Sequence, residues 1–203
     1  MQTLRCLLAA AVLAGLTSLR LAAASSDDPL DLLRTSVDEV MAIAYAPATS
    51  AEPLSTRVRP VLEKYFTFEG ITRRAVGPGW RQFTPDQRAR ITTLFTQLVI
   101  RTYADKFTPG EKPVIAFGAA TELAPNRREV PSSITYQGAK YSVGYRLERE
   151  TAGWRIYDVN IEGVSLVANY RGQFEALNQK GGAEAILRSL QTKISELDAP
   201  KAP

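Results

Sequence analysis

The sequence predicts an α+β fold in which an antiparallel, curved sheet packs against helices. Three observations carry this. Apolar residues recur at helical spacing through the first half of the chain. The middle switches to two-residue alternation rich in β-branched and aromatic residues, and helical spacing returns after Gly163. Helices, then strands, then helices is the order of an α+β chain and not of repeating βαβ units.

Ahead of the fold, residues 1–24 read as a secretory signal. Arg5 gives a short positive start, and Cys6 to Leu19 is an apolar run diluted only by Gly15, Thr17 and Ser18. Ala22-Ala23-Ala24 then offers the small residues a signal peptidase reads, with cleavage expected after Ala24. The run is short for a membrane-spanning helix, although Arg20 behind it leaves an uncleaved anchor as the alternative. Cys6 precedes the run, which argues against a lipoprotein anchor. Residues 25–203 are expected to form one domain: a helical half over about 28–108, a sheet over about 113–162 and helices over about 164–197.

Asp28-Pro29 supplies an N-cap and first-turn pair, and Leu30, Leu33, Val37, Val40, Met41 and Ala44 follow at helical spacing. Pro47 to Pro53 is a linker. A short helix is expected from Leu54 to Tyr65, with Pro60 as an obstacle that could start a new turn. Thr67 is placed to cap another, Phe68 to Val76, which Gly77-Pro78-Gly79 ends. Thr84-Pro85 with Asp86 opens the strongest helix, whose stripe of Ile91, Leu94, Phe95, Leu98, Tyr103 and Phe107 runs until Pro109-Gly110.

Strands are expected at Val114 to Phe117, Val130 to Tyr136, Tyr141 to Leu147 and Trp154 to Ile161. Gln137-Gly138 and Thr151-Ala152-Gly153 read as hairpin turns. The fourth strand is apolar on both phases, so it is either buried on both faces or shifted by a bulge near Tyr157. Gly163 ends the sheet. Helices over Ser165 to Asn178 and Ala183 to Leu197, parted by Gly181-Gly182, close the chain.

Composition removes most enzymatic readings. The chain of 203 residues has no histidine, and its one cysteine lies in the signal. The mature chain would therefore lack the commonest general base, a thiol nucleophile, a disulfide and a cysteine metal site; no metal and no cofactor are expected. Asp158 and Glu162 could be imagined as paired carboxylates. On an extended strand they would lie on the order of 13 Å apart, too far for such a pair, so hydrogen-bonding or ion-pair roles are the expectation. Losing Arg5 and Arg20 takes the formal charge from +4 to +2, and basic residues are scattered among acids, so no nucleic-acid partner is expected. What stands out is surplus apolar and aromatic surface on the sheet and the long helix. A helix across a curved sheet can pack solid or leave a cavity for an apolar ligand, and periodicity does not separate the two.

Two blocks of motifs carry the reading further. Lys64-Tyr65-Phe66-Thr67-Phe68, Ala75-Val76-Gly77, Gly79-Trp80-Arg81 and Thr102-Tyr103-Ala104 come first. Gly144-Tyr145-Arg146-Leu147, Gly153-Trp154-Arg155-Ile156-Tyr157-Asp158-Val159, Ile161-Glu162-Gly163-Val164-Ser165-Leu166 and Asn169-Tyr170-Arg171-Gly172-Gln173-Phe174 follow. In this order they resemble the landmarks of the MlaC (toluene-tolerance) family over nearly all of residues 28–197. Thr67 departs from the aspartate of many members, which puts a polar role there in doubt.

The resemblance implies a non-enzymatic periplasmic carrier with a nuclear-transport-factor-like body, holding phospholipid acyl chains between sheet and helices with the headgroup towards water. It also implies partners: an inner-membrane ABC transporter complex with its membrane-anchored lipid-binding subunit, and an outer-membrane lipoprotein–porin complex. Together these would maintain outer-membrane lipid asymmetry. A monomer is expected. A related branch is associated with hopanoids, and the landmarks do not separate the two. A non-ligand adaptor and a small hydrolase or isomerase are the rival classes. The pocket candidates are Phe66, Trp80, Leu94, Leu98, Tyr103, Val143, Tyr145, Val159, Ile161, Val164 and Leu166, each equally open to plain core packing. Arg171 is open to two roles, a headgroup phosphate or an ion pair with Asp158 or Glu162.

Overall fold

The computed structural model describes residues 28–47, 52–104 and 111–198. Residues 1–24, read above as a signal, and Phe107 lie outside the described residues.

Helix α1 (Pro29–Ala44) begins where Asp28 accepts the Leu30 amide at 2.8 Å and Pro29 takes the first turn, where its missing N–H costs nothing. Helix α2 (Leu54–Tyr65) runs unbroken through Pro60. Pro60 and Thr56 are both exposed, so the Thr56 carbonyl that loses its partner faces the solvent side of the helix. Glu39 ties the two helices, accepting from Lys64 Nζ at 2.8 Å and Tyr65 Oη at 2.7 Å, while Arg57 donates to the Ile43 carbonyl.

Helix α3 (Phe68–Val76) starts at Thr67 without a side-chain capping bond. The entry is fixed by backbone instead: Phe66 bridges Ile156, and the Thr67 amide donates to the Ile156 carbonyl at 2.9 Å. A 3-10 turn over Gly77–Gln82 leads to helix α4 (Pro85–Ala104). Here Thr84 and Gln87 form a reciprocal capping box, with Gln87 N to Thr84 Oγ1 at 3.2 Å and Thr84 N to Gln87 Oε1 at 3.0 Å.

The sheet comprises β1 (Val114–Phe117), β2 (Thr121–Ala124), β3 (Arg127–Tyr136), β4 (Ala139–Glu150), β5 (Gly153–Ile161) and β6 (Val164–Ser165). It is antiparallel and curved, ordered β1-β3-β4-β5-β6, with β2 also pairing β3. Strands β1 and β2 share one edge of β3, and β1 gives way to β2 around Pro131, which has no amide for the ladder. Strand β2 has no counterpart in the sequence reading, and β3 and β4 are longer than expected. Gln137 and Gly138 both take positive φ, 50° and 74°, the two-residue hairpin geometry that follows the sheet twist. Strand β5 answers the ambiguity on its two phases. Arg146 pairs Asp158 while Leu147 pairs Ile156, so Tyr157 is the extra residue of a bulge. The bulge lets Ile156, Val159 and Ile161 share one face.

Helix α5 (Leu166–Asp198) is two arms, 166–180 and 183–198, broken where Gly181 and Gly182 leave helical geometry; Gly182 has φ 59°. Its start is bolted to β5. Asp158, 3% exposed, accepts Ser165 Oγ at 2.6 Å, the Val167 amide at 3.1 Å and Arg146 at 3.4 Å. Ser165 in turn accepts the Ala168 amide at 3.0 Å, a helix cap.

Apolar residues form two separate cores. One joins α3, α4 and both arms of α5 around Ile91, Phe95, Leu98, Phe174, Ile186 and Leu190. The other joins the sheet to α1 and α2 around Leu33, Tyr65, Val130, Leu147, Trp154 and Ile156. Each fully buried side chain of this size contributes about 1.5–3 kcal/mol. The division decides where a cavity can lie. Helix α4 spends most of its stripe, all but Tyr103, on other helices, and α1 and α2 are left to cover the sheet.

Candidate functional site

Between α1, α2 and the concave sheet lies a cavity of about 670 Å³. Helix α1 lines it with Leu33, Val37, Val40, Met41, Ala44 and Tyr45, and α2 with Leu54, Val58, Val61, Leu62 and Tyr65. The sheet supplies Ile115, Ile134, Tyr141, Val143, Tyr145, Ile156 and Ile161. From Leu33 to Tyr45 the lined length of α1 is about 18 Å at the helical rise. The inner end closes on Leu33 and Ile156, both fully buried. The outer end carries Tyr103, 38% exposed, and Tyr141, 42% exposed, with Tyr45, Tyr136 and Gln137 beside them. Tyrosines at a mouth suit a boundary between apolar chain and water, since each ring has an apolar body and a polar tip.

The wall is almost free of unmet hydrogen-bonding capacity. Ser36 donates to the Leu33 carbonyl at 2.8 Å, Tyr65 to Glu39 at 2.7 Å, and the Tyr145 hydroxyl pairs with Ser132. Burial pushes the Tyr145 phenol up from the usual tyrosine range and keeps it neutral. Tyr45 is the exception: its Oη is buried and has no partner among the described residues. Burial first, then neighbouring Tyr136 and Glu111, hold this phenol above its usual range, so it stays a donor. Lys112 Nζ lies 5.7 Å from the centre of the Tyr45 ring, which puts a cation at the mouth.

Of the residues singled out from sequence, Phe66, Tyr103, Val143, Tyr145 and Ile161 line this cavity, and the others do not. Trp80, Leu98 and Leu166 are buried in the helical core, and Leu94 packs against it. The reason is the partner of α4: up to Leu98 its apolar stripe faces α3 and α5, where Phe95 meets Tyr170 and Phe174 edge-on at 4.7 and 5.1 Å. Val159 packs against the sheet core, and Val164 is 60% exposed at the start of β6.

Arg171 forms no ion pair with Asp158 or Glu162 among the described residues. It donates through Nε and Nη2 to the Arg74 carbonyl, at 3.1 and 2.8 Å, at the last turn of α3. Asp158 is engaged beneath the start of α5, and Glu162 binds the Ser142 amide. Both carboxylates serve as structural hydrogen-bond acceptors.

The lining from α1 and α2 went unpredicted. Its signal was present as the stripe of Leu33, Val37, Val40, Met41 and Ala44, but a stripe does not say what it faces. No described helix is long and apolar enough to cross a membrane.

Comparison with known proteins agrees with this geometry. No curated protein matches the chain. Among solved structures, it resembles a phospholipid-binding protein from Ralstonia solanacearum determined in complex with a phospholipid. The TM-score is 0.77 at 27% identity, over 85% of this chain and 99% of the other. The MlaC protein family matches residues 34–192, from the first turns of α1 into the second arm of α5, thus covering nearly all of both cores and of the cavity lining. The chain therefore belongs to the MlaC family.

Proposed function

We propose that this protein is a periplasmic phospholipid carrier that takes acyl chains into the cavity between α1, α2 and the sheet. The observation that carries the reading is the cavity itself: about 670 Å³, lined mainly by apolar side chains, with the exposed Tyr103 and Tyr141 in its wall. A domain that served only as an adaptor would need no such continuous space. The similar Ralstonia protein was solved with phospholipid bound, which favours that cargo over a polycyclic lipid. The signal-like residues 1–24 support export to the periplasm.

The cavity takes the chains inner end first, with glycerol and phosphate at the tyrosine-ringed mouth. There the Tyr45 hydroxyl donates to an ester or phosphate oxygen and so gains the partner it lacks. Lys112 adds a positive charge nearby. At roughly 30 Å³ each, about 20 methylenes fit the space. Their burial is worth about 16 kcal/mol gross. Release into water is then too slow to be useful, and unloading needs contact with an acceptor. In keeping with the family, those acceptors are an inner-membrane ABC transporter complex and an outer-membrane lipoprotein–porin complex, and the service is outer-membrane lipid asymmetry.

Transfer of fluorescent phospholipid from the loaded protein to vesicles tests this. The expected result is slow transfer from protein alone, accelerated by membranes carrying the transporter complex. Fast transfer without a partner, at a rate independent of vesicle concentration, would mean spontaneous release and contradict the reading.

A further inference from the structure

A second, smaller groove of about 370 Å³ opens between α2, α4 and β5. Its chemistry is unlike that of the lipid cavity. Arg59 and Glu63 of α2, Thr92 of α4, Arg155 of β5 and Phe66 are among the residues that line it. Among the described residues, the buried side-chain nitrogens and oxygens without a partner are Tyr45 Oη, Arg59 Nε, Arg74 Nη1, Thr92 Oγ1 and Arg155 Nε. Three of them belong to side chains of this one groove, and all three are donors. Unmet buried donors are uncommon, and their concentration in one place points to a missing acceptor.

The guanidinium of Arg155 is already held in place. Its Nη2 donates to the Glu63 carbonyl at 3.0 Å and to the Phe66 carbonyl at 2.6 Å, which leaves Nε unused. Arg59 Nε lies 3.0 Å from Glu63 Oε1 without forming an aligned hydrogen bond. The Glu63 side chain is half exposed, so it can turn to water at little cost when another anion arrives.

We propose that this groove binds a phosphate-class oxyanion, through Arg59, Arg155 and Thr92. Two guanidiniums supply charge-assisted donors of the kind that phosphate oxygens take. A hydroxyl from a third element adds a donor from another direction, which suits a tetrahedral group better than a planar carboxylate. The site is separate from the lipid cavity, and the proposal stands whether or not that cavity holds phospholipid. The two are neighbours all the same, because Phe66 lines both.

The test is a ¹⁵N NMR titration of the full mature chain with sodium phosphate at constant ionic strength, observing backbone amides and arginine Nε–H groups. Saturable shifts confined to residues around Thr92, Arg155 and Arg59 are expected. Thr92→Val and Arg59→Gln, each checked for unchanged folding by circular dichroism, should weaken binding by roughly tenfold. Should either variant fold poorly, Arg59→Lys, which keeps the charge but loses the fork, should give a smaller loss. Glycerol 3-phosphate and a short-chain phosphatidylglycerol are then added as competitors. Displacement by the lipid assigns the site to headgroup phosphates, displacement by neither leaves it to free phosphate, and both outcomes uphold the site. Shifts that are linear in phosphate, spread over all surface arginines, or unchanged in the folded variants would overturn it.

Discussion

Replacing Val143 with tryptophan puts the cavity reading at risk. Val143 is buried at the middle of β4, opposite Ser132 and Ile161, and its side chain faces the cavity. An indole there projects into open space, so the strain of overpacking a filled core is largely avoided. It occupies on the order of 100–150 Å³, the room of four or five methylenes. Lost burial of about 0.8 kcal/mol for each gives roughly 3–4 kcal/mol, or a few hundredfold in retention of long chains. Lipids extracted from natively purified wild type and V143W should be compared by mass spectrometry, with thermal unfolding alongside. The variant should carry little lipid or shift to shorter chains, while its melting temperature moves by only a few degrees. A full load with the same chain lengths would refute the assignment of this space to acyl chains.

Three further outcomes follow from the division into two cores and from the mouth. Leu98→Ala removes a buried side chain from the helical core, so it should cost about 2–5 kcal/mol in denaturant unfolding yet leave lipid content per folded molecule unchanged. Tyr45→Phe deletes a buried hydroxyl that has no partner among the described residues; unfolding of the lipid-free protein should be unaffected, while phospholipid retention falls roughly tenfold. Glu39 is held below the ordinary carboxylate range by hydrogen bonds from Lys64 and Tyr65. A depressed carboxylate contributes stability above its unfolded pKa and loses it as pH falls through the folded one. Glu39→Gln should therefore flatten the acid limb of the stability profile, by under about 1 kcal/mol because the pair is partly exposed.

Much of the fold was legible because it is written in local chemistry. Asp28-Pro29, Thr84-Pro85, Gln137-Gly138 and Gly181-Gly182 mark starts, turns and breaks through groups only a few residues apart. Strand β2 was not legible: Thr-Glu-Leu-Ala over 121–124 is largely exposed and lacks the alternation of a half-buried strand. Pro60 left the helix over Leu54 to Tyr65 open to a break for a related reason, since its cost depends on whether the freed carbonyl meets water, which is a tertiary fact.

The site was half legible. On β4 and β5 the phases of Val143, Tyr145 and Ile161 identify one face of the sheet. What covers that face is a matter of long-range pairing. The stripe of α4 looked the stronger cover, yet Leu94 and Leu98 went to α5, and the quieter stripe of α1 took the sheet. Arg171 shows the same limit. A motif arginine invites a carboxylate partner, while here its Nε and Nη2 hold a helix-end carbonyl.

The central claim is that the space between α1, α2 and the sheet holds phospholipid. Native mass spectrometry of the mature protein, followed by lipid extraction and identification, tests it most directly. The account predicts phospholipid at one molecule per chain. A cavity that stays empty after incubation with phospholipid vesicles would contradict it.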